Sequence, residues 1–180
     1  MSKSPPLLPD EVLRRVLRMA HLDGTGLLVV AGAFALVSAW YHDTTGTVVG
    51  LVVAGTGAIE LHGAGLLRHG RERGVNWLIA SQLGLMGAVC AYVGWQLAHI
   101  DPAVIAQFAA FADAGSADDA IERYAQLDPL TKAEMLQDAY VGFYEIVFAL
   151  TVIYQGGMTI YYARRRARVI TALREIHGHD

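Results

Sequence analysis

Three ionisable side chains interrupt otherwise apolar runs of this chain: Glu60 and His62 within 45–67, and Glu145 within 139–162. A carboxyl removed from water, beside an imidazole that titrates near neutrality, could pass a proton or hold a cation. In hydrocarbon such groups cost about 2.5–3.5 kcal/mol each at the centre of a span, so each needs a partner or a use. Depth decides the partners. At 1.5 Å per residue, Glu60 lies about 10 Å from the inner end of its run, and His62 about 3 Å closer to the cytoplasm. Gln82 and Gln155, in two other runs, reach about the depth of Glu60. Glu60, His62, Gln82 and Gln155 are therefore expected to form a polar layer in the inner leaflet. Its readings are interhelical glue or an oligomer contact, in which Glu60 bonds to an amide of Gln82 or Gln155, a proton or cation step, and a ligand site. Glu145 lies about 9 Å from its outer end, too far along the membrane normal to pair with Glu60. Its expected neighbours are Tyr92 and Ser38, in a second, thinner polar layer.

Metal and haem chemistry find little support. Glu60 and His62 are two residues apart, which points them about 200° apart on a helix, so they cannot share one ion. Of the seven histidines, His21, His62 and His69 fall near inner ends and His42 and His99 near outer ends. Only His62 is well inside a run, whereas a membrane haem needs facing histidines there. The single cysteine, Cys90, excludes an intramolecular disulfide and Cys-rich zinc chemistry. There is no Gly-x-Ser-x-Gly, His-Glu-x-x-His, Walker or Gly-x-Gly-x-x-Gly sequence. No cofactor, metal or catalytic residue is expected.

The elements that must position these groups are four apolar stretches, at 24–41, 45–67, 75–97 and 139–162. Each holds about 18 to 24 residues, enough to cross a hydrocarbon core about 30 Å thick. The chain is 54% hydrophobic and only 17% charged, with mean hydropathy +0.35. Long runs without Lys or Arg, packed into 180 residues, leave too little polar surface for a helical globule. Val37-Ser38-Ala39 resembles a signal-peptide cleavage site, but the segment before the first run is long and carries Asp10, Glu11 and Asp23. The first stretch is expected to be a retained span.

Charge supplies the threading. Lys3, Arg14, Arg15 and Arg18 precede the first stretch; Arg68, Arg71 and Arg73 separate the second and third; Arg164, Arg165, Arg166, Arg168 and Arg174 follow the fourth. Only Arg123 and Lys132 of the 14 basic residues fall on the other side. The positive-inside rule then predicts a multi-pass protein of a bacterial-type inner membrane with both termini cytoplasmic. An acidic exterior and basic span ends speak against nucleic acid and for anionic headgroups.

The expected organisation is a tail and amphipathic helix over 1–23, three spans over 24–97, an extracytoplasmic helical cap over 98–138, the fourth span over 139–162 and a basic helical tail over 163–180. Val12, Leu13, Val16, Leu17 and Ala20 recur at helical spacing, predicting an interfacial helix that turns into the membrane at Asp23-Gly24. Asp101-Pro102, Ser116–Asp119 and Asp128-Pro129 each read as the start of a short cap helix. Short connections at 42–46 and 68–74 imply antiparallel neighbours, hence an all-α, up-down bundle of four transmembrane helices. Small residues mark packing faces: Gly46, Gly50, Ala54 and Ala58 in the second span, Gly84 and Ala88 in the third.

Two functions follow. The first is a non-enzymatic membrane protein working by helix–helix assembly, as a homo-oligomer or as an accessory subunit alongside other membrane subunits. The second is a channel or transporter for protons or cations using the Glu60/His62 layer.

Overall fold

A computed structural model of the chain describes residues 9–100 and 129–177. The described residues are all-helical, in four long helices: α1 Pro9–Trp40, α2 Thr44–Arg68, α3 Gly74–Ala98 and α4 Pro129–His177. Each is long and apolar enough to cross a membrane, the make-up of a multi-pass membrane protein. The cap helices expected within 101–127 lie outside the described residues.

The turns show why the helices stop where they do. At the end of α1, the Asp43 N–H donates to the Ser38 carbonyl (2.9 Å) and the His42 N–H to that of Ala39 (3.1 Å). This is a Schellman closure with His42 in the left-handed region at φ 57°. Asp43 then caps α2, its carboxylate accepting from the Gly46 N–H at 3.0 Å. The end of α2 repeats the closure: Arg71 N–H donates to Leu66 O (2.9 Å) and Gly70 N–H to Leu67 O (3.1 Å), with Gly70 at φ 74°. Only glycine takes that conformation without a steric penalty.

The chain divides into two compact units, Met1–Ala88 with Val152–Asp180, and Val89–Thr151. In the first unit α1 and α2 are antiparallel and touch backbone to backbone. A Cβ on Gly57 would lie 2.8 Å from the Gly24 carbonyl oxygen, and one on Gly50 2.8 Å from the Ala35 Cβ. The buried face of α2 runs Gly46, Gly50, Ala54, Gly57, while Ala58 is exposed. A strict four-residue ladder drifts about 40° per step around a helix of 3.6 residues per turn, so a straight contact must take a three-residue step. Those small residues are spent on α1 within the same chain. Gly84 of α3 is exposed, its nearest neighbour being the Thr56 Cγ2 at 3.7 Å from an added Cβ, and Ala88 is half-buried.

Two expectations for the first unit are corrected. No turn occurs at Asp23-Gly24: α1 is one helix of 32 residues. Glycine weakens a helix interior by about 1 kcal/mol, but the close approach of α2 at Gly24 outweighs it. The amphipathic stretch is also not spread on headgroups. Val12, Leu13, Val16 and Ala20 are buried in a core with Ala64, Leu67, Val75, Leu78, Met158, Tyr162, Val169, Ala172 and Leu173. The basic tail is thus the continuation of α4, and its apolar face receives the start of α1. An exposed ion pair, Arg174 Nε to Glu72 Oε1 at 2.9 Å, adds little to that contact.

The second unit centres on Val93, Tyr140 and Tyr144, with Tyr92, Leu97 and Val147 packed around them. Residues 129–138, expected as a separate cap helix, are the opening turns of α4.

Candidate functional site: a buried carboxylate cluster

The side chains that meet inside the first unit come from all four helices. Glu60 of α2 and Gln82 of α3 are fully buried, at 0% exposure. The Tyr162 hydroxyl of α4 donates to Glu60 Oε1 at 2.7 Å. Asp23 of α1 is half-buried and accepts twice, from Gln82 Nε2 at 3.1 Å and from the Tyr154 hydroxyl at 3.2 Å. Asp23 and Gln82 both lie within electrostatic reach of Glu60. Two hydrogen-bonded groups result, Glu60 with Tyr162 and Asp23 with Gln82 and Tyr154, within electrostatic reach of each other.

Together these groups have more acceptors than donors. Glu60 Oε2, Gln82 Oε1 and, beside Tyr154 on α4, Gln155 Oε1 are buried without a hydrogen-bond partner. The buried hydroxyls of Thr56 and Ser81 do not make up the shortfall. Thr56 donates to Val53 O at 2.7 Å and Ser81 to Leu78 O at 2.8 Å, each in its own helix. A buried acceptor without a donor costs about 1–3 kcal/mol, so Glu60 Oε2 and Gln82 Oε1 each call for a positive partner, which a proton, a water hydrogen or a cation would supply. No three His, Cys, Asp or Glu side chains come together among the described residues. The oxygens on offer are carboxylate and amide, which suit a proton or a hard cation and not a soft metal.

Of the layer expected from sequence, Glu60 and Gln82 share the cluster, and Gln155 is buried on the helix that supplies its phenols. His62 does not join them: it is exposed, its ring edge-on to Trp77 at 5.4 Å between centroids. Asp23, Tyr154 and Tyr162 are the residues sequence reasoning missed. Asp23 was assigned to a turn, although the apolar pattern continues on both sides of it. Tyr162 stands seven residues after Gln155, two turns along the same face.

In the second unit Glu145 is exposed. Tyr92 is engaged instead by Gln96, whose Nε2 donates to the hydroxyls of Tyr92 (3.1 Å) and Tyr144 (3.0 Å). Ser38 belongs to the first unit, buried at the α1–α2 turn where a Cβ on Gly46 would come within 2.6 Å of its Oγ.

No protein-family model, curated protein or solved structure matches this chain.

Proposed function

We propose that this is a multi-pass membrane protein that takes up and releases a proton or small hard cation at the Asp23–Glu60 cluster, as a channel or transporter does. One observation carries the reading: a fully buried carboxylate has one oxygen held by Tyr162 and the other unpartnered, with a second carboxylate, Asp23, within electrostatic reach. Ionisable residues inside a membrane bundle are rare and costly, and they commonly mark ion and proton pathways. Both termini are assigned to the arginine-bearing, cytoplasmic side of a bacterial-type inner membrane.

The test is flux in proteoliposomes. Glu60→Gln keeps the shape of the side chain but replaces the second acceptor with a donor. Proton or sodium flux is expected in the wild type and lost in Glu60→Gln, with helical content unchanged. Equal flux in both, or none in the wild type, overturns the reading.

A second reading, assembly as a homo-oligomer or accessory subunit, is favoured by a different face. Ala80, Gly84 and Gly87 of α3 are all exposed, a small-residue surface that α2 touches only lightly, through the Thr56 Cγ2 at 3.7 Å from a Cβ added at Gly84. Gly84→Leu should then change the oligomer seen in detergent, whereas an unaltered monomer counts against it.

A further inference from the structure

The arginine-bearing end of the α1–α2 pair holds a pocket of about 430 Å³ lined by Arg14, Arg18, His21 and Arg68, with Leu17 and Leu22 between them. No carboxylate lines it. Arg14 is held by Asp10 at 2.9 Å, but that pair is exposed and one helical turn apart, so it screens Arg14 only weakly. Among the described residues Arg18 and Arg68 make no ion pair, and both are exposed, lining the pocket from α1 and α2.

Leu22 is also the first wall of a second depression, a groove of about 530 Å³ between α1 and α2. Its walls are Leu22, Gly26, Val30 and Phe34 of α1 with Val49 and Val53 of α2. Arg14, Arg18 and Leu22 line the basic pocket and Leu22, Gly26, Val30 and Phe34 the groove, a four-residue row that winds about 40° per step around α1 and changes from basic to apolar at Leu22. From Leu22 to Phe34 the groove rises about 18 Å, close to the depth of one leaflet of a 30 Å hydrocarbon core. Gly26 leaves it open: nothing lies within 4 Å of where its Cβ would be. The one charged wall residue, Asp23, sits beside Leu22 with both oxygens engaged by Gln82 and Tyr154.

We propose that this is a binding site for one anionic phospholipid, its phosphate among Arg18, Arg68, His21 and Arg14 and one acyl chain along the groove past Gly26. The charge matches a phosphodiester, the apolar groove starts where the basic pocket ends, and its length fits a single chain. Neither feature requires the other in a helix pair that merely meets bulk lipid. A basic pocket between membrane helices is a recurring form of headgroup recognition.

The experiment uses the full chain purified in neutral detergent. It is incubated with phosphatidylglycerol or phosphatidylcholine, and retained lipid is counted by native mass spectrometry. The wild type is expected to hold one phosphatidylglycerol in preference to phosphatidylcholine. Arg18→Gln with Arg68→Gln should weaken retention about 25-fold, about fivefold for each arginine lost near the surface. Gly26→Leu puts its Cβ in open space, with nothing within 4 Å, and projects the rest of the side chain into the groove, so it should lose the lipid while melting as the wild type does in neutral detergent. Glycerol phosphate, the headgroup without chains, should not compete. Equal retention of the two lipids by the wild type overturns the proposal, as does undiminished retention by Gly26→Leu. Displacement by glycerol phosphate alone would make it a soluble-phosphate site and overturn it too.

Discussion

Tyr162 and Glu60, 102 residues apart in sequence, are joined by a 2.7 Å hydrogen bond inside the first unit. It ties α4 to α2 at the one place where α2 buries a carboxylate, and it leaves the second oxygen of Glu60 unpartnered. The short bond fixes which way the carboxylate faces. Asp23 and Gln82, on the remaining two helices, lie within electrostatic reach of the carboxyl. Structure and proposed chemistry thus meet in one contact.

Tyr162→Phe removes that donor and little else. Both oxygens of Glu60 are then buried without a partner, which should cost about 1–3 kcal/mol of stability. The measure is the thermal midpoint of the detergent-solubilised chain, followed by circular dichroism. Phe fills the same space, so a midpoint equal to the wild type would mean that Glu60 does not depend on Tyr162. Adding Glu60→Leu to Tyr162→Phe should recover part of the loss, because no unpaired acceptor remains.

Asp23 and Gln82 should be energetically coupled. A double-mutant cycle of Asp23→Ala and Gln82→Ala is expected to give an interaction energy of about 0.5–3 kcal/mol, the range for residues sharing a hydrogen bond. The bond reaches from α1 to α3 at 3.1 Å. Strict additivity of the two single losses would show that the contact contributes nothing.

Two glycines of α2, two residues apart, should respond in opposite ways. Gly57 faces α1, where a Cβ would stand 2.8 Å from the Gly24 carbonyl oxygen and 2.9 Å from the Leu28 backbone nitrogen. Backbone cannot yield as a side-chain tip does, so Gly57→Val should force α1 and α2 apart and lower the melting midpoint markedly. Gly55 has nothing within 4 Å of its Cβ position. Gly55→Ala should leave the fold intact or stabilise it by up to about 1 kcal/mol through helix propensity. Equal effects of the two would contradict the close α1–α2 contact.

The number and type of the long helices were legible in the sequence, because 20-odd apolar residues without a basic side chain have few other uses. Glu60 and Gln82 were legible as members of one layer because depth follows from counting residues. What counting does not supply is azimuth. His62 lies within about 3 Å of Glu60 in depth, yet it points away to Trp77, a consequence of the two-residue spacing. Ala58 fell off the small-residue face for the same reason. Asp23 was hidden by a local signal: Asp followed by Gly reads as a turn, and only the approach of α2 makes the glycine a helical residue. The packing of Val12, Leu13 and Val16 was ambiguous in kind, since an amphipathic helix looks the same whether lipid or protein covers its apolar face.

The identity of the second group beside Glu60 separates the structural reading from the sequence reading of the same layer. If a proton or cation is taken up between two carboxylates, Asp23→Asn should impair flux as Glu60→Gln does. Either change removes one of the two negative charges that would hold the ion. His62→Gln should leave flux unchanged, because the imidazole is exposed and packs on Trp77 at 5.4 Å. The readout is initial flux per reconstituted protein in vesicles, with circular dichroism confirming that each variant is equally helical. The opposite pattern, His62→Gln inactive and Asp23→Asn like wild type, would return the step to the Glu60/His62 pair. Loss of flux in Glu60→Gln alone would make Glu60 the sole carrier, with Asp23 reduced to holding Gln82 and Tyr154 in place.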